Sequence, residues 1–216
     1  MLISSYLTVF LLGVSLFGFV TGVSSLSVTA FAQGEKTAPY ALPENGNEVI
    51  FAYDLKHGFT PPRQNNAPAF LIRANGKIEM PSLYGEGRNV KGQLSANELQ
   101  AFLKFVIEEN KFLEFDASTV QGQIEEIREK RKVPQIADAP DTVIELKIPG
   151  HTQSVRQPAV GMPSEFKEVT SLQQLLAIRK GVNRLMGETR VGGKKGIKNL
   201  LGTVNQKLKE DYPDVA

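Results

Sequence analysis

Residues Leu94 to Phe115, LSANELQAFLKFVIEENKFLEF, constrain this chain more than any other stretch. Ser95 stands three residues before Glu98. The serine side chain can therefore accept from the Glu98 amide while the Glu98 carboxylate reaches back to the Ser95 amide, the reciprocal box that starts a helix. Leu94 and Leu99 occupy the two positions that staple the entering chain. At 100° per residue, Leu99, Phe102, Leu103, Val106 and Ile107 share one face, with Gln100, Lys104, Glu108 and Glu109 opposite. That face is wider than a coiled-coil seam and predicts a helix lying on a sheet, ending near Asn110. Phe112, Leu113 and Phe115 extend the apolar supply beyond it.

The segments around this helix predict the sheet. Glu48 to Leu55, EVIFAYDL, has the β-branched and aromatic content of a strand. Ala69 to Arg73 and Lys77 to Met80 flank Ala74-Asn75-Gly76, and Asn-Gly between apolar runs is a strong hairpin signal because its turn needs positive φ. Pro81 to Gln93, with Gly85, Gly87 and Gly92, reads as the return to the helix. Thr142 to Ile148 alternates polar and apolar positions, Pro149-Gly150 turns the chain, and Thr152 to Gln157 reads as the partner strand. Between the two strand groups, Val120, Ile124 and Ile127 are spaced for a short, highly charged helix that Pro134 ends. Thr170 or Ser171 can cap a third helix with Leu172, Leu175, Leu176, Ile178, Val182, Leu185 and Met186 on one broad face. Strands followed by a packing helix thus occur twice. The expected fold is α+β, with about five mostly antiparallel strands and two amphipathic helices on one face.

The ends of the chain read differently. Residues 1 to 32 carry no charged side chain, residues 33 to 140 carry 13 basic and 15 acidic ones, and residues 141 to 216 carry 12 and 8. Tyr6 to Val20 is an apolar run, and Ala30-Phe31-Ala32 has the small-x-small form of a signal-peptidase site, so residues 1–32 are expected to be a signal peptide and the protein periplasmic or secreted. The usual basic n-region is missing, and an N-terminal membrane anchor is the alternative, since the apolar character could be stretched to bilayer length. Residues 33–47 hold Pro39, Pro43 and Gly46 and read as a linker. Residues 48–188 then form the α+β domain, and 189–216 a basic amphipathic helix and tail, with Ile197, Leu200, Leu201, Val204 and Leu208 as its stripe. From Arg179 to Lys198 there are seven basic residues against the single acid Glu188. Such a helix is expected to dock on its own domain or on a partner chain, with contact to an anionic membrane surface as the alternative.

Function is less constrained. The chain has no cysteine, which excludes disulfides, thiolate metal sites and cysteine nucleophiles. Its formal charge of +2 does not call for a nucleic acid. No H-E-x-x-H, G-x-S-x-G, S-x-x-K or phosphate-cradling glycine loop is present, so no catalytic residue, metal ligand or cofactor is assigned. The reading that follows is a non-enzymatic binding or scaffolding domain for a protein or envelope partner. Its contact residues would be Phe59, Pro61 and Pro62 in the proline-rich loop and Arg179, Lys195 and Lys198 near the C-terminus. Prolines keep an exposed loop from collapsing and lower its ordering cost. Two alternatives stand beside this one. A hydrolase or metal-dependent enzyme could use His57 and His151 with Asp54, and the loop 56–68 could act as a protease inhibitor.

The succession FAYDLKHGFTPP, AFLIRANGKIEM and GQLSANELQAFLKFVIEENKFLEFD resembles that of exported bacterial α+β domains of uncharacterised function. In those, a strand with a glycine turn precedes an Asn-Gly or Asp-Gly hairpin and an L-S-x-x-E-L helix. The resemblance covers about half the chain and implies an exported α+β domain without implying an activity. Here His57-Gly58 stands where a glycine pair is common.

Overall fold

The computed structural model describes residues 40–56, 67–81, 89–134, 139–158, 160–162 and 164–212. Six strands form one sheet: β1 (Val49–Lys56), β2 (Phe70–Arg73), β3 (Lys77–Met80), β4 (Val90–Gln93), β5 (Asp141–Ile148) and β6 (His151–Gln157). Their order is β4-β3-β2-β1-β5-β6 and every neighbour is antiparallel. The helices are α1 (Ala96–Lys104), α2 (Ala117–Arg131), α3 (Thr170–Arg190) and α4 (Gly193–Asp211). The α+β class is as expected, with one strand more than the five foreseen.

The extra strand is β4, inside the segment read as a return loop. Its sequence, VKGQ, carries one apolar side chain, and it pairs through its backbone with β3, Met80 opposite Val90 and Lys77 opposite Gln93. Backbone pairing leaves no mark on a side-chain pattern this short. Gly92 is needed there: a Cβ on it would lie 2.7 Å from Thr189 Cγ2 of α3. Real carbons do not approach so closely.

Cross-strand register shows which face the helices cover. Phe51 lies opposite Ile72 and Leu146, Tyr53 opposite Phe70 and Ile144, Ile72 opposite Ile78, and Ile144 opposite Val155. All of these side chains are buried. The alternate positions Lys77, Lys91, Glu145, Lys147, Ser154 and Arg156 are exposed. One apolar and one solvated face is what an antiparallel sheet permits. A bulge between Val49 and Phe51 adds Ile50 to the core without reversing this alternation.

Helix α1 packs on the apolar face through Leu99, Phe102 and Leu103, with the Phe102 ring edge-on to Phe51 at 4.9 Å. Its box is formed as the sequence predicts: Ser95 Oγ accepts from the Glu98 amide at 3.3 Å, and the Ser95 amide donates to the Glu98 carboxylate at 2.9 Å. From Phe105 to Glu109 the helix widens into a single π turn, ended by Asn110, whose side-chain amide donates to the Phe105 carbonyl at 2.8 Å. Left-handed Lys111 and a short 3-10 turn, Phe112–Glu114, bring Phe112 into the core. The Gly92 contact puts α3 on this same face. At Gly181 a Cβ would meet Phe105 at 2.8 Å, so α3 also closes on the π turn. Thr170 and Ser171 do not cap α3. Thr170 is already helical, and buried Val169 holds the cap position with no side-chain bond, so core packing fixes where this helix starts.

Residues Tyr40 to Asn47 lie against the domain. The Tyr40 amide donates to Gln100 Oε1 at 2.6 Å, Gln100 Nε2 returns a bond to the Tyr40 carbonyl at 2.9 Å, and the Tyr40 hydroxyl donates to Glu108 at 2.7 Å. Leu42 adds apolar contact with the core.

Candidate functional site

Of the places the sequence singled out, the structure describes Asp54, His151, Arg179 and helix α4. Asp54 lies on the solvated face of β1 opposite Val143, accepting from the Leu55 amide at 2.9 Å. His151 starts β6 opposite Ile148, hence on the helix-covered side, with its ring edge-on to Tyr40 at 6.2 Å. From the level of Val143 to that of Ile148 is about 17 Å along β5. Asp54 and His151 therefore stand on opposite faces and do not share a cleft. His57, Phe59, Pro61, Pro62 and nearly all of the loop 56–68 fall outside the described residues, as do residues 1–32. Among the described residues no group of three His, Asp or Glu side chains is placed to hold a metal ion.

A polar cleft of about 210 Å³ does exist, lined by Lys111, Glu114, Phe115, Thr170, Ser171 and Gln174 at the start of α3. Its charges close on each other, Lys111 facing Glu114 at 3.5 Å. Arg179, whose angle places it among apolar neighbours, is half-buried at the rim of α3, with Nη1 3.3 Å from where a Cβ on Gly161 would stand.

The remaining place is α4. Gly192 and Gly193 have φ of 87° and 70°, a conformation open to glycine at little cost, and they turn the chain between α3 and α4. A Cβ on Gly196 would run into the Val191 carbonyl, so the corner closes only around bare backbone. Lys194 Nζ donates to the Glu98 carboxylate and ties the first turn of α4 to the cap of α1. With that bond first and the Ser95 amide second, the Glu98 carboxyl is held down at about 2, below its ordinary 4.5.

Beyond this attachment α4 leaves the domain. None of its residues is buried. Leu200, Leu201, Val204 and Leu208 are 52, 56, 44 and 52 % exposed, and Tyr212 just past its end is 60 % exposed. By helical angle these four and Ile197 form one stripe about 100° wide, with Lys194 and Lys198 along one edge and Lys207 along the other. Lys195 and Lys198, named from the sequence, are both exposed. The expectation that α4 docks on its own domain is not met among the described residues. Sequence reasoning found the stripe and Lys198 at its edge. It missed the Lys194–Glu98 tie, which joins positions 96 residues apart, and it missed Tyr212.

No protein-family model matches the chain, and no curated protein or solved structure matches it significantly. Among the described residues, no helix is long and apolar enough to cross a membrane.

Proposed function

We propose that this chain is an exported, non-enzymatic binding or scaffolding domain, with α4 as its contact element. The supporting observation is the bare stripe. Four large aliphatic side chains of one stripe stand about half exposed on a helix with no fully buried residue, while the sheet, α1 and α3 satisfy one another. Contiguous exposed apolar surface of this kind marks interaction sites in folded proteins. Export rests on the uncharged, apolar N-terminal 32 residues and their A-x-A ending.

Limited proteolysis of the full chain tests the contact role. Residues 194–212 should be cut readily in the purified protein and be protected in the envelope fraction of the cells that make it. Protection should be lost in the double variant Leu201→Ser/Leu208→Ser, whose core is unchanged. Equal cleavage rates in the two settings would remove α4 as the contact element.

A further inference from the structure

Resting on the reading of α4 as a contact element, we infer that its occupant is an anionic lipid surface, on which the helix lies parallel to the plane. Charge complementarity carries this assignment. Besides Lys194, which is bonded to Glu98, helix α4 holds Lys195, Lys198, Lys207 and Lys209 against Glu210 and Asp211. Both acids fall in the last turn, and Asp211 already faces Lys207 at 3.9 Å. Lys198 on one side and Lys207 on the other border the apolar stripe. With the stripe set into the acyl boundary, their long stems can rise along its edges and place the ammonium groups among phosphates. Tyr212 stands exposed at the end of the helix, an amphipathic ring suited to headgroup depth. The attachment agrees with this arrangement: among the described residues α4 is tied to the domain through Lys194 in its first turn, and none of its later residues is buried.

A second copy of the chain is the competing occupant, and the stripe fits it poorly. Read as a coiled-coil seam, Ile197, Leu201, Val204 and Leu208 are followed by Asp211 and preceded by Lys194 at the next seam positions. The dry contact would be four residues long and closed by a charge at each end. A lipid surface imposes no such register and takes the wider stripe, Leu200 included.

The absence of cysteine permits a direct test in the full chain. Val204→Cys and Gln206→Cys each give one thiol for a polarity-sensitive fluorophore, on the stripe and on the polar face respectively. With phosphatidylglycerol–phosphatidylethanolamine vesicles, the label at 204 should shift to the blue and become quenchable from the acyl region. The label at 206 should keep its aqueous emission. Phosphatidylcholine vesicles should leave both unchanged. The titration midpoint should move about fivefold for each stripe-edge lysine removed, so Lys198→Gln/Lys207→Gln should weaken binding about 25-fold, and high salt should weaken it likewise. The N-terminal segment is the same in every sample, so the difference between labels reads α4 alone. An unshifted 204 label overturns the inference, as does an equal shift at 206 or a shift indifferent to lipid charge. A blue shift that grows with protein concentration and needs no vesicles assigns the stripe to a second copy instead. If α4 is protected in the envelope fraction while the 204 label ignores lipid, the lipid assignment falls and the binding role stands; loss of both removes both.

Discussion

Substituting Phe102 by alanine measures how far this cysteine-free chain depends on the contact between α1 and the sheet. Phe102 is 2 % exposed and meets Phe51 edge-on at 4.9 Å, with Phe51 in turn edge-on to Phe70 at 6.4 Å. Removing a buried phenyl ring costs about 3–5 kcal/mol in lost transfer energy and residual cavity. With a urea dependence of about 2 kcal/mol per molar, the unfolding midpoint should fall by about 2 M. Leu200→Ala is the matched control, because that leucine is 52 % exposed on α4; its effect should stay within about 0.5 kcal/mol. Far-UV circular dichroism across a urea series reads both. A cycle of Phe51→Leu and Phe102→Leu should return a coupling of about 0.5–1.5 kcal/mol for the ring pair. If Phe102→Ala moved the midpoint as little as is expected of Leu200→Ala, the placement of α1 on the sheet would be refuted; if Leu200→Ala moved it as far as is expected of Phe102→Ala, the bareness of α4 would be.

Three further outcomes test the corners of the structure. Ser95→Ala should lower stability by about 1 kcal/mol through loss of the cap, seen as a lower thermal midpoint; no change would mean the box is idle in solution. The depressed Glu98 carboxyl contributes stability that is present above its unfolded value near 4.5 and lost as the pH falls toward its folded value of about 2. Lys194→Gln should therefore raise the Glu98 titration midpoint in a carboxyl NMR experiment and flatten the stability loss over that acid range. An unmoved midpoint would show that the tie between α4 and α1 does not form. Gly76→Ala should cost about 2 kcal/mol or more, because Gly76 has φ 78° and its Cβ would stand 2.5 Å from the Leu94 carbonyl. Hydrogen exchange should then open the Leu94 amide, which donates to the Gly76 carbonyl at 2.9 Å.

What was legible in the sequence followed from local rules. The Ser95–Glu98 box, the Asn75-Gly76 hairpin, the alternation of β5 and the stripe of α4 are each written within a few residues, where spacing alone assigns a face. These fixed the α+β class and five of the six strands. Other features depend on residues far apart in the chain. Strand β4 exists because β3 lends it a backbone edge. Helix α3 starts where Val169 meets the core and not where a threonine could cap it. Asp54 and His151 look like site partners until register puts them on opposite faces. Helix α4 shows the division most clearly. Its amphipathic pattern is fully written in residues 197 to 208, yet the same pattern suits a helix folded onto its own sheet or one held away from it. The choice is made by the glycine corner at 192, 193 and 196 and by the Lys194–Glu98 bond. Apolar spacing says that a face wants cover, and only the tertiary structure says whether the chain itself supplies it.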